Sequence, residues 1–345
     1  MADRTALALR ARIAAVSAPC QGAGELAREI CDALGVQIPF DFGCFALTDP
    51  DTGLATQVVK TGPVPVGDDV FACYEFAPTD INQFRAIAKR RVPVGILRHD
   101  TRGRPELCAR YREFLAPFFG FHDELRIVFR FQGQTWGLLG LYRAEPGPAF
   151  TPAEASLLAA AAGTVTTGIR RVLFAAAGSH AGRPTGPAVI VVDQDNRVKS
   201  SSPAGQHGLG ELGGLKHGAL PLSLLAAVYS ARRGAAGVLA RIRTDAGWLA
   251  VRGAVLSGDG SDDVVITLDP AGPQDITPLA LAAFGLTSRE QEVARLVMRG
   301  EGTAAIAGRL HLSPLTVQDH LKSVFAKAGV TSRRELVATV GRGSR

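Results

Sequence analysis

Leu286-Thr-Ser-Arg-Glu-Gln-Glu-Val-Ala-Arg-Leu296, then Ile306-Ala307, then Leu312-Ser-Pro-Leu-Thr-Val-Gln-Asp-His-Leu-Lys322 carry the most complete local grammar in this chain. Thr287 and Glu290 have the Thr-x-x-Glu spacing of a capping box, in which each side chain satisfies an orphan amide at a helix start. Ser313 before Pro314 reads as the N-cap and first residue of another helix. That helix is predicted to stop at Gly329, with Val330 supplying the hydrophobic contact of a glycine C-cap. Ser332 and Glu335 repeat the capping-box spacing and open a fourth helix. Only a few residues around His311 separate the two central helices, which is the joint a helix-turn-helix requires.

These positions resemble the C-terminal DNA-binding domain of LuxR-type transcriptional regulators. The match runs from Leu286 to Val340 and includes Leu-Thr-x-Arg-Glu-x-Glu-Val at 286–293, Ile306-Ala307, Ser313, Thr316-Val317, His320-Leu321, Lys327, Gly329-Val330 and Ser332-Arg333. Two departures reduce positive charge or hydrogen-bonding capacity: Gln318 stands where the family usually has a basic residue, and Thr303 and Ala304 stand where it often has Asn and Lys. The resemblance implies an all-α four-helix domain at 286–341 with double-stranded DNA as partner, bound as a homodimer whose recognition helices meet half-sites roughly 34 Å apart.

Helical spacing puts Leu321, Val324, Phe325 and Ala328 on a core face and Leu315, Gln318, Asp319 and Lys322 on the opposite stripe. Gln318 has the amide geometry to pair bidentately with adenine, against a plain solvated role. Val317 either packs on a thymine methyl or completes the core one turn before Leu321; the resemblance favours DNA. Thr316 serves the helix start or reaches a phosphate, and His320 is either a core-edge side chain or a phosphate donor. Lys322 and Lys327 are phosphate candidates, which position a protein without reading sequence. Arg289 and Arg333, with Arg334, extend that footprint.

The chain of 345 residues carries a net charge of +6. Residues 276–345 hold ten Lys and Arg against five Asp and Glu, so nearly all the excess lies on the helix-turn-helix, as phosphate binding favours. Five cysteines (Cys20, Cys31, Cys44, Cys73, Cys108) lack any pair or metal-ligand spacing. That odd, unframed set points to reduced thiols and a cytoplasmic location. Arg10 and Arg12 interrupt any leader-like apolar run, and Leu157 to Ile169 is too short to cross a bilayer, so no membrane is implied.

Upstream, the expected fold class is α+β and multidomain. A helix in residues 1–23 precedes a second from Gly24 to Leu34. Strands follow at Phe42–Thr48 and Leu54–Lys60 around the turn Asp49-Pro-Asp-Thr-Gly53. After a proline-rich loop come a helix at 79–89, with Ile81, Phe84 and Ala88 on one face, a strand at 92–97 and a short helix at Pro105. A hairpin at 125–131 and 136–142 turns at Gln132-Gly-Gln134, and Thr151-Pro152-x-Glu154 opens a long helix through Leu173. Residues 24–174 resemble a GAF domain, a ligand-sensing module built on an antiparallel sheet, with Trp136-Gly-Leu-Leu-Gly-Leu141 as the best local fit. Residues 175–187 read as a linker. A hairpin at 188–200, a Gly-rich loop at 208–218, a helix at 221–231 and strands at 238–243, 248–256 and 264–268 resemble a smaller PAS-like domain at 188–269. Turns are expected at Asp193-Gln-Asp-Asn196, Asp245-Ala-Gly247 and Gly258-Asp-Gly-Ser261. Residues 270–285 read as a linker and connecting helix. The three segments share no detectable repeat.

Signals for catalysis are missing from the sequence. There is no phosphate-binding Gly-x-x-x-x-Gly-Lys-Ser/Thr, no metal spacing among the histidines, and no acidic cluster to make Asp193 a phosphoacceptor. No cofactor, metal or enzymatic activity is therefore expected. Phe45, Tyr74, Phe84, Tyr111 and Trp136 could line a ligand cavity in the GAF-like region or simply fill its core. The expected function is a one-component transcriptional regulator sensing an unknown ligand or partner. The alternatives are an enzyme, or a ligand-free architectural protein, using the same DNA-binding tail.

Overall fold

The computed structural model describes residues 2–76, 79–174, 184–235, 237–257 and 262–343. Most of the expected 175–187 linker and the turn at 258–261 lie outside the described residues.

The first unit runs α1 (Ala2–Ser17), α2 (Ala23–Gly35), β1 (Phe42–Thr48), β2 (Ala55–Lys60), α3 (Asp68–Glu75), α4 (Phe84–Ile87), β3 (Val94–Ile96), α5 (Leu97–Asp100), α6 (Ala116–Phe119), β4 (Phe121–Phe131), β5 (Gln134–Ala144) and α7 (Pro152–Leu173). Its five strands form an antiparallel sheet in the order β2-β1-β5-β4-β3. Strand alternation decides the two faces. Phe45, Leu125, Ile127, Phe129, Leu139 and Leu141 point to one side and share a core with Leu26, Ile30, Leu158, Val165 and Ile169 of the helices. Leu9 and Ile13 of α1 join that core, so the N-terminal helix is part of this unit. The hairpin turn at Gln132 and Gly133 has positive φ at both residues, 49° and 80°, the geometry that matches the strands' right-handed twist. A capping box at Thr151 and Glu154 starts α7, as its sequence predicts.

The helix expected at 79–89 is reduced to the four residues of α4. Asp80 instead accepts from the backbone amides of Ile81, Ala109 and Arg110, and Asn82 adopts φ 57°, which no α-helix accommodates. A helix lies earlier, at α3, in what reads as a proline-rich loop; Asp68 and Asp69 in its first turn complement the helix dipole.

The second unit runs β6 (Val189–Val192), β7 (Val198–Ser201), α8 (Pro203–Glu211), α9 (Leu222–Arg232), β8 (Val238–Thr244), β9 (Gly247–Val255) and β10 (Val264–Pro270). Its sheet has the order β7-β6-β10-β9-β8, the same permutation as the first, although the sequences share no repeat. The Gly-rich loop expected from 208 begins later, because Ser202 caps α8 through the amide of Gly205. Glycine is required at 205: a Cβ there would sit 2.3 Å from the Val189 carbonyl oxygen.

The two units share a polar joint. Arg241 on β8 donates to both carboxylate oxygens of the buried Asp49, at 2.7 and 2.5 Å, and to Asp51 at 2.6 Å. This fork-on-fork pairing is the form in which a buried guanidinium is best satisfied. Gln57 of β2 adds a 2.6 Å bond to the Arg243 carbonyl.

The last unit comprises α10 (Pro273–Ala283), α11 (Ser288–Met298), α12 (Thr303–Leu310), α13 (Pro314–Ala328) and α14 (Arg333–Gly343). Residues 270–277 read as linker and 278–284 as the connecting helix, but α10 starts at Pro273, because the Asp275 carboxylate takes the Gly272 amide. The unit docks on the first one. Gln132 at the hairpin tip donates to the Gly285 carbonyl at 2.9 Å. Arg170 of α7 donates to the Ala283 carbonyl while its guanidinium lies 3.8 Å from the Phe131 ring centre. Gly285, at φ 74°, fits against Phe131 without a side chain. Among the described residues no helix is long and apolar enough to cross a membrane.

Candidate nucleic-acid interface

The caps legible in the sequence are present. Thr287 and Glu290 form the capping box of α11, and Ser313 Oγ accepts from the Thr316 amide at the start of α13. His311, at φ 54°, ends α12 in the left-handed conformation, so only three residues turn the chain into α13. Gly329, at φ 65°, ends α13, and the Val330 amide returns to the Phe325 carbonyl at 3.0 Å. At α14 the pattern differs: Ser332 caps the Glu335 amide, but the Glu335 carboxylate reaches the amide and hydroxyl of Thr331 rather than of Ser332.

Glu290 is the hub of the unit. It is buried, and its oxygens accept from the Thr287 amide, from Ser323 Oγ at 2.6 Å and from Lys327 Nζ at 2.6 and 2.9 Å. Burial alone would raise its pKa; the hydrogen bonds from Lys327, Ser323 and Thr287 outweigh it and hold the carboxyl down at about 2. This ties α13 to α11 and sets the tilt of the exposed face of α13.

The sequence-predicted contact residues fall into two groups. Gln318 and Lys322 are exposed on the outer stripe with Leu315 and Asp319, Lys322 making only a 3.9 Å approach to Asp319. His320 is half-buried at the edge of that stripe. The others are engaged within the fold. Val317 is fully buried in the core with Leu321 and Val324, the second of its two readings. The Thr316 hydroxyl lies 2.9 Å from Ser313 Oγ and serves the helix start. Lys327 is held by Glu290. Arg289 bonds Glu292 and the Leu310 carbonyl, both at 2.5 Å, tying α11 to the turn. Arg333 bonds the Glu301 carbonyl and Thr303 Oγ1, closing α14 onto α12. Sequence reasoning missed Glu290 as the hub, since a capping-box Glu gives no sign of a second partner 37 residues away.

Residues 285–340 match the family described as bacterial regulatory proteins, luxR family. The C-terminal unit is a LuxR-type helix-turn-helix domain. An HTH-type transcriptional regulator named from Mycobacterium bovis is 49% identical over 57 residues, covering 16% of this chain and 6% of that protein. The monoamine regulon transcriptional regulator of Klebsiella aerogenes is 42% identical over 53 residues, 15% of this chain and 23% of that one. The chain thus spans only a small part of the curated relatives it matches, and the likeness is confined to the LuxR-type domain. The crystal structure of Escherichia coli SdiA aligns over 98% of this chain and 97% of its own at 12% identity, with a TM-score of 0.33, too low to carry an argument about the upstream units.

The upstream aromatic residues do not converge. Phe45 and Trp136 are fully buried on the helix-covered face, Phe45 stacked on Phe129. Trp136 is the extra residue in the register shift opposite Phe129 and Arg130, which brings it beside Arg170 of α7. Tyr74 donates to Glu113, and Tyr111 packs against the small cluster of Phe114, Leu115, Phe121 and Tyr142. Phe84 alone of the five lines a cavity on the sheet's other face, which has a volume of about 350 Å³.

Beside that cavity lies a buried ionic network the sequence does not announce. Arg126 pairs with Glu75 at 2.7 Å and Glu124 at 2.8 Å, and Arg110 pairs with Glu124 at 2.6 Å. Burial would raise the Glu124 pKa, but the two guanidiniums outweigh it and hold the carboxyl below its ordinary value. Among the described residues no cluster of His, Cys, Asp or Glu is arranged to hold a metal.

Proposed function

We propose that the chain is a one-component transcriptional regulator, acting in the cytoplasm as a homodimer on double-stranded DNA. The observation that carries the reading is the outer stripe of α13 in the LuxR-type domain. Leu315, Gln318, Asp319 and Lys322 are exposed there, while the opposite face of the same helix is core. A helix so mounted is built to enter a major groove. Gln318 reads base edges, and Lys322 with His320 positions the backbone. Thr316, Val317, Arg289, Arg333 and Lys327 act as positioning residues for this helix in the free protein.

The first unit serves as the GAF-like sensor and the second as a PAS-like relay. Support comes from the antiparallel five-stranded sheets, each with its second strand at an edge and its last strand between the first and fourth. A cavity on the open face of the first sheet adds to it. Ligand or partner binding shifts the population between arrangements that do and do not align two recognition helices. The contact of the hairpin tip with Gly285 is the route by which the sheet biases the DNA-binding unit.

Fluorescence anisotropy of the full-length protein on its own upstream DNA and on random duplex, across a salt series, tests this. Specific, salt-dependent binding is expected. Gln318→Ala should relax preference at one or two base pairs, by roughly 1–3 kcal/mol at the base read. Lys322→Ala should weaken all sequences alike and reduce the salt slope by about 1. Binding without sequence preference, in the full chain and in residues 270–345 alike, would remove the regulator reading.

A further inference from the structure

The cavity beside α4 is not closed by the first unit alone. Its floor is Cys44, Ala46, Leu138 and Tyr142 of β1 and β5, and Phe71, Phe76 and Phe84 form its walls. Leu222 and Arg233 complete it from the second unit: one is the first residue of α9 and the other caps its last turn. Its volume of about 350 Å³ lies within the roughly 300–1,000 Å³ typical of small-molecule sites.

The polar lining is unbalanced. Lys89 contributes positive charge from the first unit and Arg233 from the second, beside Arg85, whose guanidinium already donates to Gln83 Oε1. Glu75 is the one carboxylate lining the cavity among the described residues, and both its oxygens are engaged, by the Phe84 amide and by Arg126. Neither Arg233 nor Lys89 is paired with a carboxylate among the described residues. Arg233 lies 5.7 Å from the Phe76 ring centre instead. Partial burial, and then the like charge of Arg85, push the pKa of the exposed Arg233 below its ordinary value, so the cavity mouth carries a repulsion between like charges. An anion bound there would relieve it.

We propose that this cavity binds a small organic anion with an apolar body, an alkyl or aryl carboxylate, its charge clamped by Lys89 of the first unit and Arg233 of the second. The body lies on Leu138, Phe84 and Phe76. Because the clamp draws on both units, occupancy fixes α9 against α4. That consequence for DNA rests on the regulator reading above; the binding itself does not.

Calorimetric titration of the full-length protein with decanoate and 2-naphthoate, against decan-1-ol and 2-naphthol, decides the matter. The acids are expected to bind one per chain, and the alcohols about tenfold more weakly or worse. Arg233→Gln should weaken the acids about tenfold and leave the alcohols unchanged, and the exposed Lys89→Gln should act in the same direction without endangering the fold. Equal binding of acid and alcohol, acid binding untouched by both variants, or no binding of either acid would each overturn the proposal. DNA anisotropy on the same preparation separates the two readings. Acid binding without DNA binding would sink the regulator and leave the site; DNA binding without acid binding would do the reverse.

Discussion

Replacing Glu290 by glutamine removes one negative charge from the joint between α11 and α13 while leaving an amide oxygen that can still cap. The magnitude follows from the depressed pKa. A drop from the ordinary 4.5 to about 2 corresponds to roughly 3 kcal/mol of preference for the ionised form in the folded state. The Lys327 side chain is 36% exposed, so solvent screening trims the part lost on neutralisation to roughly 2 kcal/mol. The sign is that of a lowered carboxylate: the stabilisation is present above the unfolded value of 4.5 and is lost as pH falls from there towards 2. Amide exchange of α13 in the full-length chain should therefore be faster in Glu290→Gln by about 30-fold near pH 7, the equivalent of that free energy. Urea unfolding should show the gap between the two proteins closing towards pH 3, where the wild-type carboxyl begins to take up its proton. Equal protection at neutral pH, or a gap that does not narrow on acidification, would refute the assignment of Glu290 as the ionic hub.

Three further outcomes are expected. Arg126→Ala leaves Glu75 without its buried partner and strips Glu124 of one of two, so scanning calorimetry should show a loss of about 3–5 kcal/mol; a change under about 1 kcal/mol would mean the network is solvated. Gly205→Ala forces α8 away from the Val189 carbonyl and should cost roughly 1–3 kcal/mol in urea unfolding, with unchanged stability arguing that α8 is not seated there. Arg170→Ala removes the bond to Ala283 and the contact with Phe131. Amide exchange around residues 281–287 should accelerate while β4 and β5 stay protected, and an unchanged profile would show that the docking does not depend on Arg170.

The contrast between the chain's parts has a physical cause. In the LuxR-type domain the informative signals are local. Thr287 with Glu290, Ser313 with Pro314, and Gly329 with Val330 act within one helical turn, and the spacing of Val317, Leu321 and Val324 marks the inward face. Those short-range rules place all four helices of 286–341. Upstream, β1, the β4–β5 hairpin and α7 are legible for the same reason: strand alternation, a two-residue turn and a capping box are local too. What goes astray is set by distant partners. The segment at 79–89 has helical spacing, but Asp80 and Asn82 are drawn into contacts with residues 90–110 that no local pattern records. Gly208 reads as the start of a Gly-rich loop, yet it and Gly205 let α8 approach Leu268 and Val189 closely.

By itself, then, the sequence determined the helix-turn-helix, its exposed stripe and the alternating strands of both sheets, because capping and amphipathic periodicity act over a few residues. Only the tertiary structure decided which charges are buried and which are free. Arg241 finds Asp49 across 192 residues, Lys327 finds Glu290 across 37, and Arg233 is carried to a cavity whose floor belongs to another unit. A side chain's electrostatic role depends on the dielectric and the partners that the fold places around it, and those are properties of the packed chain, not of the neighbouring residues.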